Sequence, residues 1–259
     1  MQIEDLIQHR NWSAILARLE AGEIAATQKF PCAGRKVGLL PVAAADNATE
    51  LVLYLITHGA AVDENFHGMN ALLDACDRKN HSVIDALVAA GADLNVKSPK
   101  VGGDADETAL MTSAGHCDAW AVRRLLDAGA DAAILTCREQ SAIHYALMLY
   151  ANNPQPKPEA TDIVIALLDA GCPLLGTEIH FATHRRDVHM TRLLLERGSP
   201  ADVTLPRNET DGPRKGQTPL GNVAKTNGID LIGGDFGYEP TDQRREEITR
   251  LLEATGASR

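Results

Sequence analysis

This sequence has few aromatic residues and lacks the cysteine patterns that cross-link small domains. Phe, Tyr and Trp make up only 4% of its 259 residues, while Ala and Leu are plentiful, and that composition suits closely stacked small helices. The five cysteines are an odd number and none lies in a Cys-x-x-Cys pair, so neither a disulfide framework nor a zinc site is indicated. We expect free thiols in a reducing cytosol.

Long apolar segments and clusters of basic residues are also missing. No apolar run approaches the roughly 18 residues needed to cross a bilayer, and the first residues lack the basic and apolar regions of a signal peptide. The 35 Asp and Glu residues outnumber the 25 Lys and Arg residues, which gives a formal net charge of −10. This charge argues against a nucleic-acid or anionic-membrane partner and fits a protein partner with a basic surface. We therefore expect a cytoplasmic protein.

What the sequence does contain is one pattern of small and aliphatic residues that recurs along the chain. Each copy opens with a residue type preferred at a helix N-cap; an aliphatic residue follows at position three, counting the opener as one. The openers are Gly38, Asn70, Thr108, Ser141, Thr177 and Thr218. Each copy ends in a glycine, which suits the left-handed turn that ends a helix. The closing glycines are Gly59, Gly91, Gly129, Gly171, Gly198 and Gly256.

The residues before each closing glycine predict a second helix with one apolar face. Four residues before the glycine stands a leucine in every copy, and eight before it stands an apolar residue. Residues four apart share a helix face, so this spacing gives one apolar stripe. Each copy is therefore a pair of short helices.

The copies resemble the ankyrin repeat, whose signature is Thr-Pro-Leu-His-x-Ala. The signature appears as Thr-Glu-Ile-His-Phe-Ala at 177–182 and as Ser-Ala-Ile-His-Tyr-Ala at 141–146, and Gly-Ala-Asp follows two of the second helices, at 91–93 and 129–131. The resemblance implies an all-α repeat solenoid, an ankyrin-type stack of helix-turn-helix units with protruding β-hairpin or loop connectors. Such units cannot bury their apolar stripes alone and are stabilised by their neighbours.

On this resemblance the chain is a single array, 1–259, of about seven units and has no independent second domain. Residues 1–22 are a degenerate N-terminal capping unit. The others are 38–59, 70–91, 108–129, 141–171 with an insertion at 152–160, 177–198, and 218–256 with an insertion at about 225–241. The insertion at 152–160 contains three prolines, which predict that it is not helical. We expect an outward hairpin over Val62–Met69 and long connectors at 23–37 and 96–107.

The resemblance also implies a binding surface, because the first helices of ankyrin units line a groove with the hairpin tips at its rim. The groove positions are five, eight and nine of each copy. They hold very different side chains, whereas the framework positions do not. The predicted protein-binding residues at these positions are Asp74, Asp77, Arg78, Thr112, His116, Tyr145, Met148, Leu149, Phe181, His184 and Arg185.

Two further contact residues, Phe66 and His67, lie at the predicted hairpin tip. For some of these residues a structural role is equally open. The rings of Tyr145 and Phe181 are either interface contacts or fillers of the gap between units. Asp74 and Arg78 are four residues apart on a helix, a spacing at which they can simply pair with each other.

The predicted function is protein–protein interaction without chemistry, as an adaptor or an inhibitor. One form of inhibitor is an antitoxin or immunity-type protein that masks a basic toxin. The alternative is a metal-dependent or other enzyme that uses His180, His184 and the insertion at 225–241. His180 and His184 have metal-ligand spacing, but the Glu of a His-Glu-x-x-His motif is replaced by Phe181. We therefore predict no catalytic residue, no metal and no cofactor, and a chain that is monomeric in isolation.

Overall fold

The structure is a computed structural model that describes residues 2–32, 35–66, 69–98, 106–152, 158–184, 187–203, 219 and 241–256. These residues form short helices and two small hairpins, so the predicted all-α repeat fold is confirmed. The helices are α1 Ile3–Gln8, α2 Trp12–Glu20, α3 Leu39–Ala45, α4 Thr49–Thr57, α5 Ala71–Asp77, α6 His81–Ala89, α7 Ala109–Gly115, α8 Ala119–Asp127, α9 Ala142–Asn152, α10 Pro158–Asp169, α11 Glu178–His184, α12 Val188–Glu196 and α13 Thr241–Ala254.

The chain divides into two compact units, Met1–Glu139 and Gln140–Arg259. In the first unit, α3, α5 and α7 lie side by side in one row, and α2, α4, α6 and α8 lie side by side in a second row. Each helix of the first row also packs on its partner in the second. The aliphatic residues of the repeat fill the space between the rows, as shown by the fully buried Leu55, Leu87 and Leu125.

The second unit has the same construction. Helix α9 packs on α10 and α11, α11 packs on α12, and α12 packs on α13. Its core again comes from the repeat positions, with Leu167, Leu194 and Leu252 completely buried. How many repeats the whole chain contains, and whether they form one array, stays a prediction.

Side-chain caps explain why the first helices begin where they do. The Asn70 side-chain oxygen accepts a hydrogen bond from the Leu73 amide at 2.8 Å, and the Thr108 hydroxyl accepts one from the Met111 amide at 3.3 Å. These bonds satisfy amides that have no partner inside the helix. The second helices α2, α6, α8 and α12 begin in the same way, for example at Asp118, whose carboxylate accepts from the Ala121 amide.

The ends of the second helices turn through glycine, as the sequence predicts. All six closing glycines have a positive φ, between 80° and 93°, a conformation that disfavours any side chain. The tight turn between the two helices of a unit was not predicted in this detail. It carries non-glycine residues with positive φ, namely Arg10, Asn47, Lys79 and Cys117.

One hairpin lies where the sequence predicts it and one was missed. Strands β3 (Asn65–Phe66) and β4 (Met69–Asn70) pair antiparallel inside the predicted segment Val62–Met69 and one residue beyond it. The connector predicted at 23–37 also contains a hairpin, β1 (Lys29–Cys32) with β2 (Arg35–Gly38). The sequence analysis predicted only a long connector there and missed the hairpin, in which Phe30 and Val37 pair across the strands and are both buried.

The predicted extent of the first insertion also needs correction. Helix α10 begins at Pro158 and α9 ends at Asn152, so both ends of the segment 152–160 are helical. Proline is tolerated in the first turn of a helix because its missing amide has no partner there. Residues 153–157 and most of the second insertion, 225–241, lie outside the described residues.

In the part of the chain that the structure describes, no helix is both long and apolar enough to span a membrane.

Candidate protein-binding surface

The first helices of the first unit bring three predicted groove positions into one line. Val42, Asp74 and Thr112 occupy position five on α3, α5 and α7, and all three are half-buried. The neighbouring framework residues at positions three and six are buried in the same helices. The same helix turn thus separates residues that pack from residues that are accessible. We call these three residues, Val42, Asp74 and Thr112, the α3–α5–α7 row; the name refers to the residues and not to the helices that carry them.

Asp74 is the charged member of this row. Burial raises the pKa of its carboxyl to about 6; the nearby Arg78 guanidinium opposes this rise and Asp77 adds to it. In the described chain the carboxylate has no hydrogen bond and no ion pair within contact distance, so the predicted pairing of Asp74 with Arg78 remains a longer-range attraction. Asp74 is thus a half-buried acid that accepts no hydrogen bond from any residue that the structure describes.

Hydrogen bonds join the ends of α5 and α7 beside the α3–α5–α7 row. His116 Nε2 donates a hydrogen bond to Asp77 Oδ1 at 3.1 Å, and Lys79 Nζ donates to the carbonyl oxygen of His116 at 2.7 Å. Asp77 and Arg78 are exposed, and His116 is half-buried. The structure thus places Asp74, Asp77, Arg78, Thr112 and His116 on, or directly after, the adjacent helices α5 and α7.

The predicted contact residues Phe66 and His67 fall at the end of β3 and after it along the chain. Phe66 is the last residue of β3. The side chain of Phe66 and all of His67 lie outside the described part of the structure. Their role in contacts stays a prediction.

In the second unit, α9 and α11 bring a more apolar set of residues together. Tyr145 is only 7% exposed, which favours its packing role, while Met148 and Phe181 are half-buried. The His144 ring meets the Phe181 ring edge-on, with centroids 5.0 Å apart. The side chains of Leu149 and His184, and all of Arg185, are outside the described residues.

His180, the described member of the predicted enzyme alternative, makes a structural contact. Its Nε2 donates to the carbonyl oxygen of Val203 at 2.7 Å, and burial lowers the pKa of its imidazole. No group of three His, Cys, Asp or Glu side chains arranged to hold a metal is found among the described residues.

Two groups of residues were missed by the sequence analysis. Trp120, at the start of α8, is 39% exposed and stacks on His81 with ring centroids 4.2 Å apart. His81 also donates a hydrogen bond to Asp118 at 2.8 Å. Trp120 could have been noticed in the sequence, because the chain has few aromatic residues and this one lies outside the apolar stripe of its helix.

The second missed group is a buried polar cluster between α9 and α11. Glu178 is completely buried and accepts hydrogen bonds from the Ser141 hydroxyl at 3.3 Å and the Leu175 amide at 3.1 Å. Burial raises the pKa of its carboxyl and that of the neighbouring Cys172 thiol. These groups are closed to solvent, so they connect neighbouring helices and offer no surface.

Known proteins share both the sequence pattern and the fold. Residues 26–98 match the family described as ankyrin repeats in three copies. A protein of Treponema pallidum (strain Nichols) whose description names ankyrin repeats is 33% identical over 115 residues, which are 44% of this chain and 36% of that protein. The chain therefore spans about a third of the length of this curated relative.

The fold is similar to that of the human ASB11 ankyrin repeat domain. The crystal structure of that domain superimposes with a TM-score of 0.63 at 16% identity, and the similarity covers 100% of this chain and 99% of that one. At this identity the likeness concerns the fold alone. Residues 26–98 therefore match ankyrin repeats in sequence, and the chain has the ankyrin-repeat fold.

Proposed function

We propose that this chain binds a basic segment of a partner protein through the α3–α5–α7 row, and that it acts as an adaptor or an inhibitor by occupying that partner. Ankyrin repeats are protein–protein interaction modules. The observation that supports the basic partner is the Asp74 carboxylate, which is half-buried and has no hydrogen bond in the described chain. A Lys or Arg side chain supplies the donors that this carboxylate lacks.

The surroundings of Asp74 favour a basic side chain over an acidic one. Helices α3 and α7, on either side, contain no charged residue, so nothing there competes for the carboxylate. The chain as a whole carries a formal net charge of −10, which attracts a basic protein at long range and repels an acidic one. The antitoxin form of an inhibitor is one case of this proposal and needs a basic toxin as its partner.

A basic peptide tests the proposal. Nona-arginine labelled with a fluorophore is titrated with the protein at low salt and about pH 7.5, and anisotropy reports binding. Nona-glutamate is the charge control and should not bind. Because a partly buried charge pair is removed, Asp74→Asn should weaken nona-arginine binding about three- to tenfold. Amide chemical shifts should change in α3, α5 and α7.

A matched variant separates this surface from general acidity. Asp127→Asn removes one charge from the exposed end of α8, in the opposite row of helices, and should change the affinity less than twofold. Circular dichroism is expected to show the same helicity for both variants. Equal losses of affinity in the two variants would mean that net charge alone binds the peptide, and would contradict a site at Asp74.

A further inference from the structure

The position of Asp74 between uncharged helices has a consequence for the way a basic partner binds. We infer that a basic side chain entering the α3–α5–α7 row displaces a proton from Asp74, so that binding is coupled to proton release. This inference rests on the proposed function. It adds that the interaction is weak in mild acid and reaches full strength near neutral pH.

The geometry around the carboxylate supports the coupling. Asp74 is half-buried, it accepts no hydrogen bond from a described residue, and its flanking helices bring no charge. The free carboxyl therefore gives up its proton less readily than an exposed aspartate, and its pKa is about 6. A guanidinium or ammonium group at contact distance favours the ionised form and lowers the pKa again.

The direction of the pH effect follows from these two states. The complex holds fewer protons at Asp74 than the free protein does. Affinity therefore increases with pH until Asp74 is fully ionised in the free protein as well. Above about pH 7 the free carboxyl is already ionised and the affinity levels off. Below about pH 6 the affinity falls as Asp74 becomes protonated, by at most the roughly three- to tenfold that its charge contributes.

Other charged groups near α5 are few and have partners or lie at its end. On α5 itself the other charged residue is Asp77; Arg78 and Lys79 follow its end, where Lys79 donates a hydrogen bond to the His116 carbonyl, and β4 carries none. On α6, His81 pairs with Asp118 and Asp85 pairs with Arg124. After α7, His116 pairs with Asp77. After α3, Asp46 pairs with Arg10 and accepts a hydrogen bond from Trp12.

Among these neighbours, His116 is the titratable group whose contribution the experiment has to separate from that of Asp74.

Calorimetry of nona-arginine binding measures the coupling directly. Titrations at about pH 5, 6, 7 and 8, each in two buffers of different ionisation enthalpy, give the affinity and the number of protons released. With a carboxyl that ionises near pH 6 and a charge that contributes about three- to tenfold to binding, the affinity should be about three- to fivefold lower at pH 5 than at pH 8. About 0.3–0.4 of a proton should be released per peptide at pH 6, and almost none at pH 8.

Substitutions assign the proton to Asp74. Asp74→Asn should bind weakly at every pH and release no proton at pH 6, whereas Asp127→Asn should behave as the unmodified protein. In a His116→Gln background the release at pH 6 should persist, because the proton comes from Asp74. Loss of the release in that background would assign it to His116 and overturn the inference.

The outcomes distinguish this inference from the proposed function. If nona-arginine binds the unmodified protein and Asp74→Asn weakens it, but no proton is released near pH 6, the binding surface stands and the coupling is wrong. If nona-arginine does not bind at any pH, both are wrong. Proton release that disappears only with Asp74→Asn supports both.

Discussion

The half-buried His144 side chain makes the second compact unit sensitive to acid. Desolvation lowers the pKa of its imidazole from 6.5 to about 4, and its ring packs edge-on against Phe181. The unfolded chain binds a proton near the ordinary value and the folded chain does not. The free energy of unfolding is therefore unaffected by His144 above the ordinary pKa of 6.5. It decreases as the pH falls toward 4, by up to about 3 kcal/mol.

His144→Gln tests this effect because glutamine does not titrate. Urea denaturation followed by circular dichroism at about pH 7 and pH 4.5 gives the free energy of unfolding of both proteins. The unmodified protein should lose more stability than the variant between these pH values. An equal loss would show that His144 is protonated without penalty in the folded state.

Glu178 should have the opposite dependence on pH. Burial raises the pKa of its carboxyl, so the folded chain holds a proton that the unfolded chain releases. Stability from the protonated form is complete below the ordinary carboxyl pKa and is lost as the pH rises through the raised value. The stability of Glu178→Gln relative to the unmodified protein should therefore increase with pH, by at most about 1.4 kcal/mol per unit. A difference that stays constant between about pH 4.5 and 7 would contradict this.

Single residues also show where sequence patterns stop being informative. The leucine four residues before each closing glycine is buried, as predicted, because the repeat itself dictates its environment. Glu178 occupies the position that Pro219 holds in another copy, and nothing in its sequence neighbourhood indicates burial. Its hydrogen-bond partner Ser141 is 37 residues away. In the same way, the difference between half-buried Asp74 and exposed Asp77 depends on how α3 and α7 pack against α5.

Among the elements, the turn between the two helices of a unit offers a route to higher stability. Cys117 occupies this turn with a φ of 53°, which is costly for a residue with a side chain. Cys117→Gly should therefore raise the free energy of unfolding by about 0.5–1 kcal/mol, after the greater flexibility of glycine in the unfolded chain is subtracted. Chemical denaturation measures the change.

Asn47 provides the comparison for this prediction because it occupies the same turn of another unit, with a φ of 58°. Asparagine tolerates this conformation better than most residues, and its side chain accepts a hydrogen bond from Asn80. Asn47→Gly should consequently bring no gain. An equal gain in both variants would point to a cause other than backbone strain.

The elements that the sequence predicted poorly are the short hairpins. The paired helices have a period that appears in every copy, so their bounds follow from the openers and glycines. Strands β1 and β2 have four residues each, and Pro31 lies among them. Their one clear signal is the pair Phe30 and Val37, which face each other across the hairpin and are buried. Packing on neighbouring elements, which sequence patterns do not show, makes this segment a hairpin.

For the whole molecule, the arrangement of helices in neighbouring pairs predicts how a destabilising substitution acts. The helices nearest the substituted residue should lose their structure first. Within each compact unit, helices of adjacent pairs contact one another, so stability is a sum of intrinsic and nearest-neighbour terms. Leu167 is completely buried in α10. Leu167→Asp removes this packing and buries a charge, which should cost more than about 4 kcal/mol. We expect α9 to α12 to lose their structure first.

Hydrogen exchange with mass spectrometry can locate this loss. Amides of α9 to α12 should exchange much faster in Leu167→Asp, while those of α5 to α8 should keep most of their protection. Leu168→Asp is the matched control, since this leucine is adjacent in the same helix but half-buried, and it should have a much smaller effect. Uniform loss of protection from α3 to α12 in Leu167→Asp would mean that the chain unfolds as one cooperative block, and that nearest-neighbour terms do not describe it.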